Sequence, residues 1–338
     1  MTKAVQVGSY ADFFRVLGLE AVPPGALRQG RFNRIPRAGR RRDDAGWVLL
    51  FQDGAIYGGC HSLGEDVRAY FNENSGKRLT QKEWAELKRR KAEIERQEDE
   101  ERRRRQDAAA LTAVALMRRA EPYHRHPYMI SKHLYGDSYP TLRVIRDKVL
   151  RAVLGYLPST GEDGARMSGE ILLAPMYAAV RGRPVLRNVQ MINGDGVKRF
   201  LPGGQKKGCF WCSRCGIRET QGILGVCEGV ATGLSVAVDV AEKEGQIPVF
   251  AAMDAGNLPG VAMIVQRLFF DRELVIFGDW DESGRGQEAA REAAAQTRSG
   301  RVQFPPIDEQ ITARFQRVTG TDKVPSDFND YLIAVGRL

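Results

Sequence analysis

The chain has 338 residues, 43% of them hydrophobic, and its 51 Lys and Arg outnumber 42 Asp and Glu, which gives a formal net charge of +9. This length fits about two domains, and the basic balance favours polyanionic partners such as nucleic acid. No apolar run approaches the roughly 20 residues that a membrane-spanning helix needs, and the first residues lack a secretion signal. With an odd count of five cysteines, the sequence predicts a cytoplasmic protein in a reducing compartment, with no membrane partner.

Residues 1–78 are predicted to form a small α+β module. Its arginine-rich segment, RQGRFNRIPRAGRRR, has a pattern that neither a helix nor a strand would bury, so we expect an exposed loop. The arginines of this loop are Arg28, Arg31, Arg34, Arg37, Arg40, Arg41 and Arg42. The following GWVLLFQDGAIYGG predicts two short strands joined at Asp53-Gly54, because the tight turn of a hairpin needs residues that accept positive φ.

Residues 79–120 are predicted to form one long charged helix that links two modules. Thr80 followed by Glu83 fits a capping box at its start. The segment contains no Gly or Pro, and almost no apolar residue occurs between Lys88 and Asp107. Such a helix can be stable in water through charge pairs four residues apart, but it cannot bury a face in a core.

Residues 121–222 are predicted to form a small α+β subdomain. EPYHRHPYMISKHL and LRVIRDKVLRAVLGYL are helix candidates, and EILLAPMYAAV, RPVLRNVQMI and GVKRFL read as three strands. Turn residues between these strands, Arg181-Gly182 and then Asn193-Gly194-Asp195-Gly196, indicate an antiparallel meander.

From residue 223 to the end, strands alternate with helices. ILGVC, PVFAA, ELVIFGD and RVQF are the strand candidates, and VATGLSVAVDVAEKEG, LPGVAMIVQRLFF and GRGQEAAREAAAQTR are the helices between them. This alternation predicts an α/β fold with a mostly parallel sheet flanked by helices.

Acidic residues follow two of these strands. Glu228 comes directly after ILGVC, and Asp279 and Asp281 end the segment ELVIFGDWD. Ligands of parallel sheets bind beyond the carboxyl ends of the strands, and residues two apart in an extended chain point the same way. Carboxylates gathered at one edge need a cation or a proton to neutralise them, and Mg²⁺ prefers oxygen ligands. The pattern therefore predicts metal-assisted phosphoryl chemistry.

CEGVATGLS, AAMDAGNL, VIFGDWDESGRGQEAA and PSDFNDYL occur in this order in the sequence. Together they resemble the successive motifs of the Toprim domain, and more narrowly the Toprim primases of phages and conjugative plasmids. The resemblance extends upstream to HPYMISKHL and to LLAPMYAAVRGRPVLRNVQMINGDGVKRFLPGGQKKG, and it covers about residues 121–335.

The resemblance implies roles for the acidic residues. Glu228 matches a general acid/base or metal contact, and Asp279 and Asp281 match the aspartate pair that holds Mg²⁺ or Mn²⁺. Asp327, in PSDFNDYL, is either a third metal carboxylate or a residue that starts a helix. Asn329 and Asp330 are expected to cap that last helix.

The resemblance also implies a nucleotide-binding surface. Gly229 and Gly284 match positions where the backbone turns tightly beside the site. The basic residues ahead of the Toprim motifs would hold template or nucleotide phosphates; they are Lys198, Arg199, Lys206 and Lys207. In GGQKKG, glycines permit close approach of the backbone and lysines act as point charges for phosphate.

A second motif, CFWCSRC, contains Cys209, Cys212 and Cys215. Zinc would need a fourth ligand, for which Cys227, Cys60 and His61 are the candidates. Reduced structural thiols are the alternative, and we favour them over a Zn²⁺ site. Bacterial primases commonly carry an N-terminal zinc module with paired cysteines, whereas Cys60 is the single cysteine of the first 120 residues here.

The resemblance implies a DNA primase, a nucleotidyltransferase that makes RNA primers on single-stranded DNA from ribonucleoside triphosphates with Mg²⁺. Its setting would be the replication of a phage, a plasmid or another mobile genetic element. The sequence contains no GxxxxGK[ST] motif, so a replicative helicase would be a separate partner. Two alternatives remain open: a Toprim nuclease, and a non-catalytic replication accessory protein that binds nucleic acid.

Overall fold

The computed structural model describes residues 4–40, 45–62, 65–73, 80–136, 139–161, 164–216, 222–244, 247–298 and 300–338. Arg41 and Arg42 of the arginine-rich segment lie outside the described residues. The chain divides into two compact units, Met1–Arg103 and Arg104–Leu338. Among the described helices, none combines the length and the apolar composition that crossing a bilayer requires.

The first unit is built on an antiparallel sheet. Its elements are β1 (Ala4–Gln6), α1 (Tyr10–Leu17), a 3-10 turn (Pro24–Ala26), β2 (Phe32–Ile35), β3 (Gly46–Leu50), β4 (Ile56–Ser62), β5 (Glu65–Phe71) and the first part of α2 (Gln81–Arg119). The described strands pair in the order β1-β5-β4-β3-β2, with only β1 parallel to its neighbour. The predicted hairpin is confirmed, because β3 and β4 pair antiparallel and Gly54 in their turn has a φ of +80°.

The expectation of a loop across the whole arginine-rich segment is wrong. Part of it forms strand β2, which pairs with β3. Apolar residues inside the segment explain the strand, since Ile35 is buried in the core and the Phe32 ring lies 5.4 Å from the Trp47 ring. Arg34, between them, stays exposed.

Helix α2 begins as its sequence predicts. The Glu83 backbone N–H donates to Thr80 Oγ1 at 3.3 Å, and the Thr80 N–H donates to Glu83 Oε2 at 2.7 Å, which is a capping box. Exposed ion pairs such as Glu93 with Arg96 follow along its charged middle. Its last turns belong to the second unit and are apolar, with Ala113 and Leu116 fully buried.

The second unit contains the rest of the chain. Its elements are the end of α2, β6 (Glu121–Pro122), α3 (Pro127–Ser131), β7 (Arg143–Arg146), α4 (Asp147–Leu154), β8 (Glu170–Val180), β9 (Arg183–Ile192), β10 (Lys198–Phe200), β11 (Cys209–Cys212), β12 (Leu224–Cys227), α5 (Val230–Glu244), β13 (Val249–Ala251), a 3-10 turn (Ala255–Asn257), α6 (Leu258–Leu268), β14 (Leu274–Phe277), α7 (Arg285–Ala295), β15 (Arg301–Gln303), α8 (Glu309–Thr319) and α9 (Phe328–Ala334).

One sheet of the described strands runs through this unit in the order β10-β9-β8-β11-β13-β12-β14-β15, with β7 beside β8 and β6 beside β7. The strands β13, β12, β14 and β15 are parallel, and the meander β8-β9-β10 is antiparallel. The predicted α/β fold with a mostly parallel sheet and an upstream meander is thus confirmed. Strand β11 was not predicted, and it joins the two parts by pairing antiparallel with both β8 and β13.

The segment LRVIRDKVLRAVLGYL is not one helix. Its first residues form β7, which pairs with β8 through Val144 and Leu172, and α4 begins only at Asp147. The β-branched side chains of Val144 and Ile145 are buried against the sheet, and such residues fit a pleated surface well. A helical period continued from α4 hides this change of structure in the sequence.

The sheet of the second unit buries apolar side chains on both faces. Trp211 and Val249 belong to one core cluster, on the face covered by α5. On the opposite face, Phe250 and Ile276 pack in a cluster with α6 and α7. Farther along that same face, Leu173 packs in a third cluster with the end of α2 and with α4.

Candidate active site

The parallel strands end together at one edge of the sheet. Cys227, the last residue of β12, is in register with Ala251 of β13 and with Phe277 of β14. Glu228 follows β12 immediately, and Asp279 lies two residues beyond β14. Two of the predicted acidic residues therefore lie side by side beyond the carboxyl ends of neighbouring strands, where parallel sheets bind ligands.

Glu228 lies in an environment that disfavours its charge. Burial raises the pKa of its carboxyl, the Lys198 ammonium lowers it, and the charges of Asp254, Asp281 and Asp327 raise it, with a net rise. The Glu228 backbone carbonyl accepts a 2.7 Å hydrogen bond from the N–H of Met253. Met253 has a φ of +72°, so the chain after β13 adopts a strained conformation to make this contact.

Asp279 is the most perturbed of the carboxyls. Its Oδ1 is buried and has no hydrogen-bond partner among the described residues. Burial raises its pKa well above the usual range, Asp327 and Glu228 raise it further, and Lys198 opposes them. A buried carboxylate oxygen without a donor is unfavourable, so this atom points to a ligand.

Asp327 takes the helix-starting role, one of the two that the sequence left open for it. It is the N-cap of α9, where its Oδ1 accepts a 2.8 Å hydrogen bond from the Asp330 N–H. Its charge also acts on Glu228 and Asp279. Asn329 and Asp330 both lie inside the helix, so neither is its N-cap, but Asp330 Oδ2 accepts a 3.1 Å hydrogen bond from the Ser326 N–H just before that cap.

Asn329 and Asp330 instead fasten α9 to other segments. Asn329 Nδ2 donates to the Lys132 carbonyl at 2.7 Å and to Ser235 Oγ at 2.9 Å. Asp330 pairs with Lys323 at 2.8 Å and with Lys132 at 3.6 Å. These contacts hold the N-terminus of α9, and with it Asp327, at the edge of the sheet.

Asp281 is arranged differently from Asp279. The chain turns after β14, and the Asp281 carboxylate accepts hydrogen bonds from Ser283 Oγ (2.8 Å) and from the N–H groups of Arg285 (3.1 Å) and Gly286 (2.7 Å) at the start of α7. Burial alone would raise its pKa, but these hydrogen bonds outweigh burial and lower it. The two aspartates therefore differ in their hydrogen bonding and in the direction of their pKa shifts, although the Asp281 charge still affects Glu228.

Comparison with known proteins agrees with this arrangement. The family described as Toprim domain matches residues 223–337. Residues 223–337 are a Toprim domain.

Two curated proteins from Escherichia coli, both named DNA primase TraC, are similar to the chain. One is 34% identical over 161 residues and the other 28% over 246 residues, which is 44% and 68% of this chain. The chain spans 10% and 21% of the length of these relatives. Together with the family match, these similarities confirm the resemblance to Toprim primases.

Among solved structures, the primase fragment of the bacteriophage T7 primase-helicase protein shares 16% sequence identity with the chain. The match covers 50% of this chain and 59% of that one, with a TM-score of 0.34.

The side chains of Glu228, Asp279 and Asp327 are here called the Toprim carboxylates. The glycines in the neighbouring loops differ in whether the backbone at their position requires glycine. Gly284 has a φ of +75°, which favours glycine, and it precedes α7 directly. Gly286 has no room for a side chain, because a Cβ would lie 2.9 Å from Asp281 Oδ2 and 3.1 Å from the Asp279 carbonyl oxygen. At Gly229 the nearest atom to a Cβ would be Thr232 Oγ1 at 3.8 Å, and Gly229 is not among the glycines with positive φ, so the backbone there does not require glycine.

Among the predicted basic residues, Lys198 faces the Toprim carboxylates. Its charge lowers the pKa of both Glu228 and Asp279, and its ammonium lies 5.8 Å from the centre of the Tyr128 ring. Arg199 points elsewhere: its guanidinium donates to the Ser159 and Thr160 carbonyls at 2.9 and 3.0 Å. These contacts give Arg199 a structural role that the sequence did not reveal.

The turn GGQKKG carries the other two lysines. Lys206 lies 3.8 Å from Asp254 Oδ2, and its ammonium is 4.9 Å from the Phe200 ring centre, while Lys207 is exposed. The buried side chain of Asn257 holds this turn against the Toprim domain. It accepts from the Gly208 N–H at 2.8 Å and donates to the carbonyls of Cys209 (2.9 Å) and Ala252 (2.8 Å). The motif AAMDAGNL contains Asn257, but the motif alone does not reveal this role.

The cysteine motif does not form a metal site with the Toprim carboxylates or by itself. Cys209 and Cys212 lie three residues apart on β11, and they are buried in core clusters on opposite faces of the sheet. Burial raises the pKa of each thiol to about 12. Cys227 is buried, Cys215 is exposed, and Cys60 belongs to the first unit. The geometry therefore contradicts a zinc ion shared by Cys209 and Cys212.

The Toprim carboxylates fit an oxygen-preferring cation. Within the described ranges, no three His, Cys, Asp or Glu side chains already converge on one point. Nevertheless, the charge of Asp327 raises the pKa of both Glu228 and Asp279, the charge of Glu228 raises that of Asp279 further, and Asp279 Oδ1 lacks a donor among the described residues. A Mg²⁺ ion would neutralise this charge and occupy the unpaired oxygen, since carboxylates are its preferred protein ligands.

Proposed function

We propose that the chain is a DNA primase that joins ribonucleotides on a single-stranded DNA template during replication of a phage, plasmid or other mobile element. The observation that carries the proposal is the set of carboxylates at the Toprim edge, with one buried oxygen of Asp279 left unpaired. Both Escherichia coli relatives are named DNA primase TraC, which supports the same activity. Substrates would be ribonucleoside triphosphates, and a replicative helicase would be a separate partner.

The carboxylates have distinct parts in this proposal. Asp279 and Asp327 would hold Mg²⁺, which supplies positive charge to the phosphate oxygens when it is bound. Glu228 keeps a raised pKa, which suits a group that accepts the proton of the attacking 3′ hydroxyl. Asp281 fixes the start of α7 and thereby the backbone beside Asp279, because its oxygens are already engaged by that helix.

The basic residues would bind the phosphates. Lys198, on β10, acts electrostatically on Glu228 and Asp279, which supports a role in which its ammonium would hold the triphosphate of the incoming nucleotide. Lys206 and Lys207 lie on the turn that Asn257 fastens to the Toprim domain, where they would contact a phosphate backbone. Arg199 is less suited to this role because backbone carbonyls occupy its guanidinium.

The test is synthesis of dinucleotides and short RNA on single-stranded DNA, with Mg²⁺ or Mn²⁺, by the wild type and by Asp279→Asn. We expect product from the wild type and a loss of about 100-fold or more in Asp279→Asn, the scale of removing one electrostatic contact to a transition state. Asp322→Asn, at an exposed position outside the site, is the matched control and should keep full activity.

Two outcomes would overturn the proposal. Equal synthesis by Asp279→Asn and the wild type would remove the carboxylates from the chemistry. Absence of product from a wild type that still binds DNA would exclude a primase; strand cleavage in the same reactions would then identify a nuclease, and no reaction would identify an accessory protein.

A further inference from the structure

The sheet of the second unit forks along one edge of β8. Strand β7 pairs with the first part of that edge, from Glu170 to Leu173, and β11 pairs with its later part, at Tyr177 and Ala178. Residues 174–176 between them have no strand partner on that edge among the described pairings. Pro175 occupies this interval, as expected for a residue that cannot donate to a strand neighbour.

The fork opens on the face of the sheet that carries two separate helical layers. The cluster under α6 and α7 lies on one side of it, and the cluster under α4 and the end of α2 lies on the other. Between them is a groove of about 540 Å³, here called the fork groove. Met117 of α2 and Leu268 of α6 both line it, together with residues of strands β8, β11 and β13.

Four aromatic side chains line the fork groove. Phe210 and Phe250 are almost fully buried. Tyr177 and Phe269 also line it and remain partly exposed. Flat, partly exposed rings offer stacking surfaces for another planar group.

The polar side chains that line the fork groove indicate which kind of ligand it fits. Among the described lining residues are Arg143 and Arg214 and no acidic side chain. Thr141 also lines the groove, and its Oγ1 is buried without a hydrogen-bond partner among the described residues. Burial and the neighbouring Cys215 raise the pKa of Tyr177, and Arg143 opposes them, which indicates that Arg143 lies close to the phenol.

We propose that the fork groove binds an unstacked base of single-stranded nucleic acid, with the adjoining phosphates against Arg143 and Arg214. The rings would stack on the base, and Thr141 Oγ1 would hydrogen-bond its polar edge. An apolar peptide or lipid chain would leave the Thr141 hydroxyl without a hydrogen-bond partner and would make no ion pair with Arg143, so it fits the lining less well.

The fork groove is distinct from the Toprim carboxylates. Strand β11 runs antiparallel to β13, so residues 214–216 continue past the amino end of β13. Glu228 and Asp279 follow the carboxyl ends of the same sheet. A nucleic-acid strand held in the fork groove would therefore be anchored away from the reacting phosphates. This anchoring needs no metal ion.

Cys215 provides a direct probe, because it lines the fork groove and is exposed, while the other cysteines are buried. The rate at which a small maleimide modifies Cys215 would be measured on the whole chain, in EDTA, by mass mapping, with and without oligo(dT). At an oligonucleotide concentration about ten times its dissociation constant, occupancy predicts a rate about tenfold lower. An unchanged rate, with the oligonucleotide shown to be bound, overturns the proposal.

Variants at the fork groove give a second measurement by fluorescence anisotropy of labelled oligo(dT) in EDTA. Tyr177→Leu keeps an apolar side chain but removes a stacking ring, and it should weaken binding about five- to tenfold. Arg143→Gln should lower the salt dependence, the slope of log K against log salt, by about 0.7. Phe270→Leu and Arg317→Gln, at exposed positions outside the groove, are the matched controls.

A nucleic-acid strand and a free nucleotide both offer the fork groove a base and phosphate groups. The experiment therefore compares protection of Cys215 by each of them. Protection of Cys215 by oligo(dT), and none by thymidine monophosphate or triphosphate, supports the proposal. Protection by the mononucleotides equal to that by the oligonucleotide overturns it in favour of a nucleotide site. Because EDTA is present throughout, these results stand whether or not the chain synthesises primers.

Discussion

The Toprim carboxylates and the β11 thiols are both partly or fully buried in one sheet, and burial raises the pKa of Glu228, Asp279, Cys209 and Cys212 alike. The two groups differ in the directions in which their side chains point. The carboxylates follow the ends of parallel strands, so they gather at one edge and repel one another. Cys209 and Cys212 lie inside a strand and are divided between its two faces. Titratable groups become a ligand set only where the backbone lets them converge.

For the two buried thiols, we predict the largest change in the free energy of unfolding. Cys209→Ala and Cys212→Ala should each lower the free energy of unfolding by about 1 kcal/mol through lost core packing. Because the two side chains lie on opposite faces, the double variant should lose the sum, about 2 kcal/mol, within the usual limits of additivity. Urea denaturation of the four proteins measures this, with exposed Cys215→Ala as the control. A strong coupling energy, or stoichiometric zinc in the purified protein, would contradict separate thiols.

For the Toprim carboxylates, we predict that removing one charge raises the stability of the protein. Without divalent metal, Asp279→Asn should raise the free energy of unfolding at neutral pH by about 0.5–2 kcal/mol, since it removes a destabilised charge from a functional site. Mg²⁺ should then raise the melting temperature of the wild type and leave that of Asp279→Asn nearly unchanged. Calorimetry with and without Mg²⁺ gives both values. A variant less stable than the metal-free wild type would show that the Asp279 charge is well satisfied.

The pH dependence of this gain follows from the raised pKa of Asp279. The folded wild type binds the Asp279 proton more tightly than the unfolded chain does, so its stability falls as pH rises from the ordinary aspartate range, near about 4, toward the raised pKa. Asparagine does not titrate. The stability difference between Asp279→Asn and the wild type should therefore be small at about pH 4 and grow with pH. A stability difference that shrinks as pH rises would show that folding lowers the pKa of Asp279 and does not raise it.

A smaller effect than that of the double thiol variant concerns Asp281, the carboxylate that is already satisfied by hydrogen bonds. Asp281→Ala should lower the free energy of unfolding by about 1 kcal/mol, because the start of α7 loses its cap. Asp308→Ala is a matched control, since Asp308 caps α8 by accepting from the Ile311 N–H at 2.8 Å. Similar losses in both would identify Asp281 as a cap, whereas a gain in stability would group it with Asp279. Urea denaturation at neutral pH distinguishes the two.

The comparison also shows what a sequence can reveal. Glu228 and Asp279 were predictable because a strand followed by an acidic residue fixes both the position and the edge of the sheet. The direction of Asp281 was not, since it depends on the turn after β14 and on the free N–H groups of α7. CFWC suggested a metal motif because three-residue spacing has that meaning in a turn, but β11 was not recognised as a strand. Asn257 acts through carbonyl groups far away in the chain, which no local pattern encodes.

Strand β11 has a consequence for how the protein can be divided. The family match begins at residue 223, after β11, yet β11 pairs with β13 through Trp211 and Ala251 and through Cys212 and Phe250. A fragment cut at that boundary would leave one side of β13 with open backbone N–H and C=O groups, an edge that invites aggregation. It would also uncover the core that the fully buried Trp211 now seals. Soluble truncations should therefore start upstream of Cys209, because the recognisable domain and the smallest cooperative folding unit have different borders.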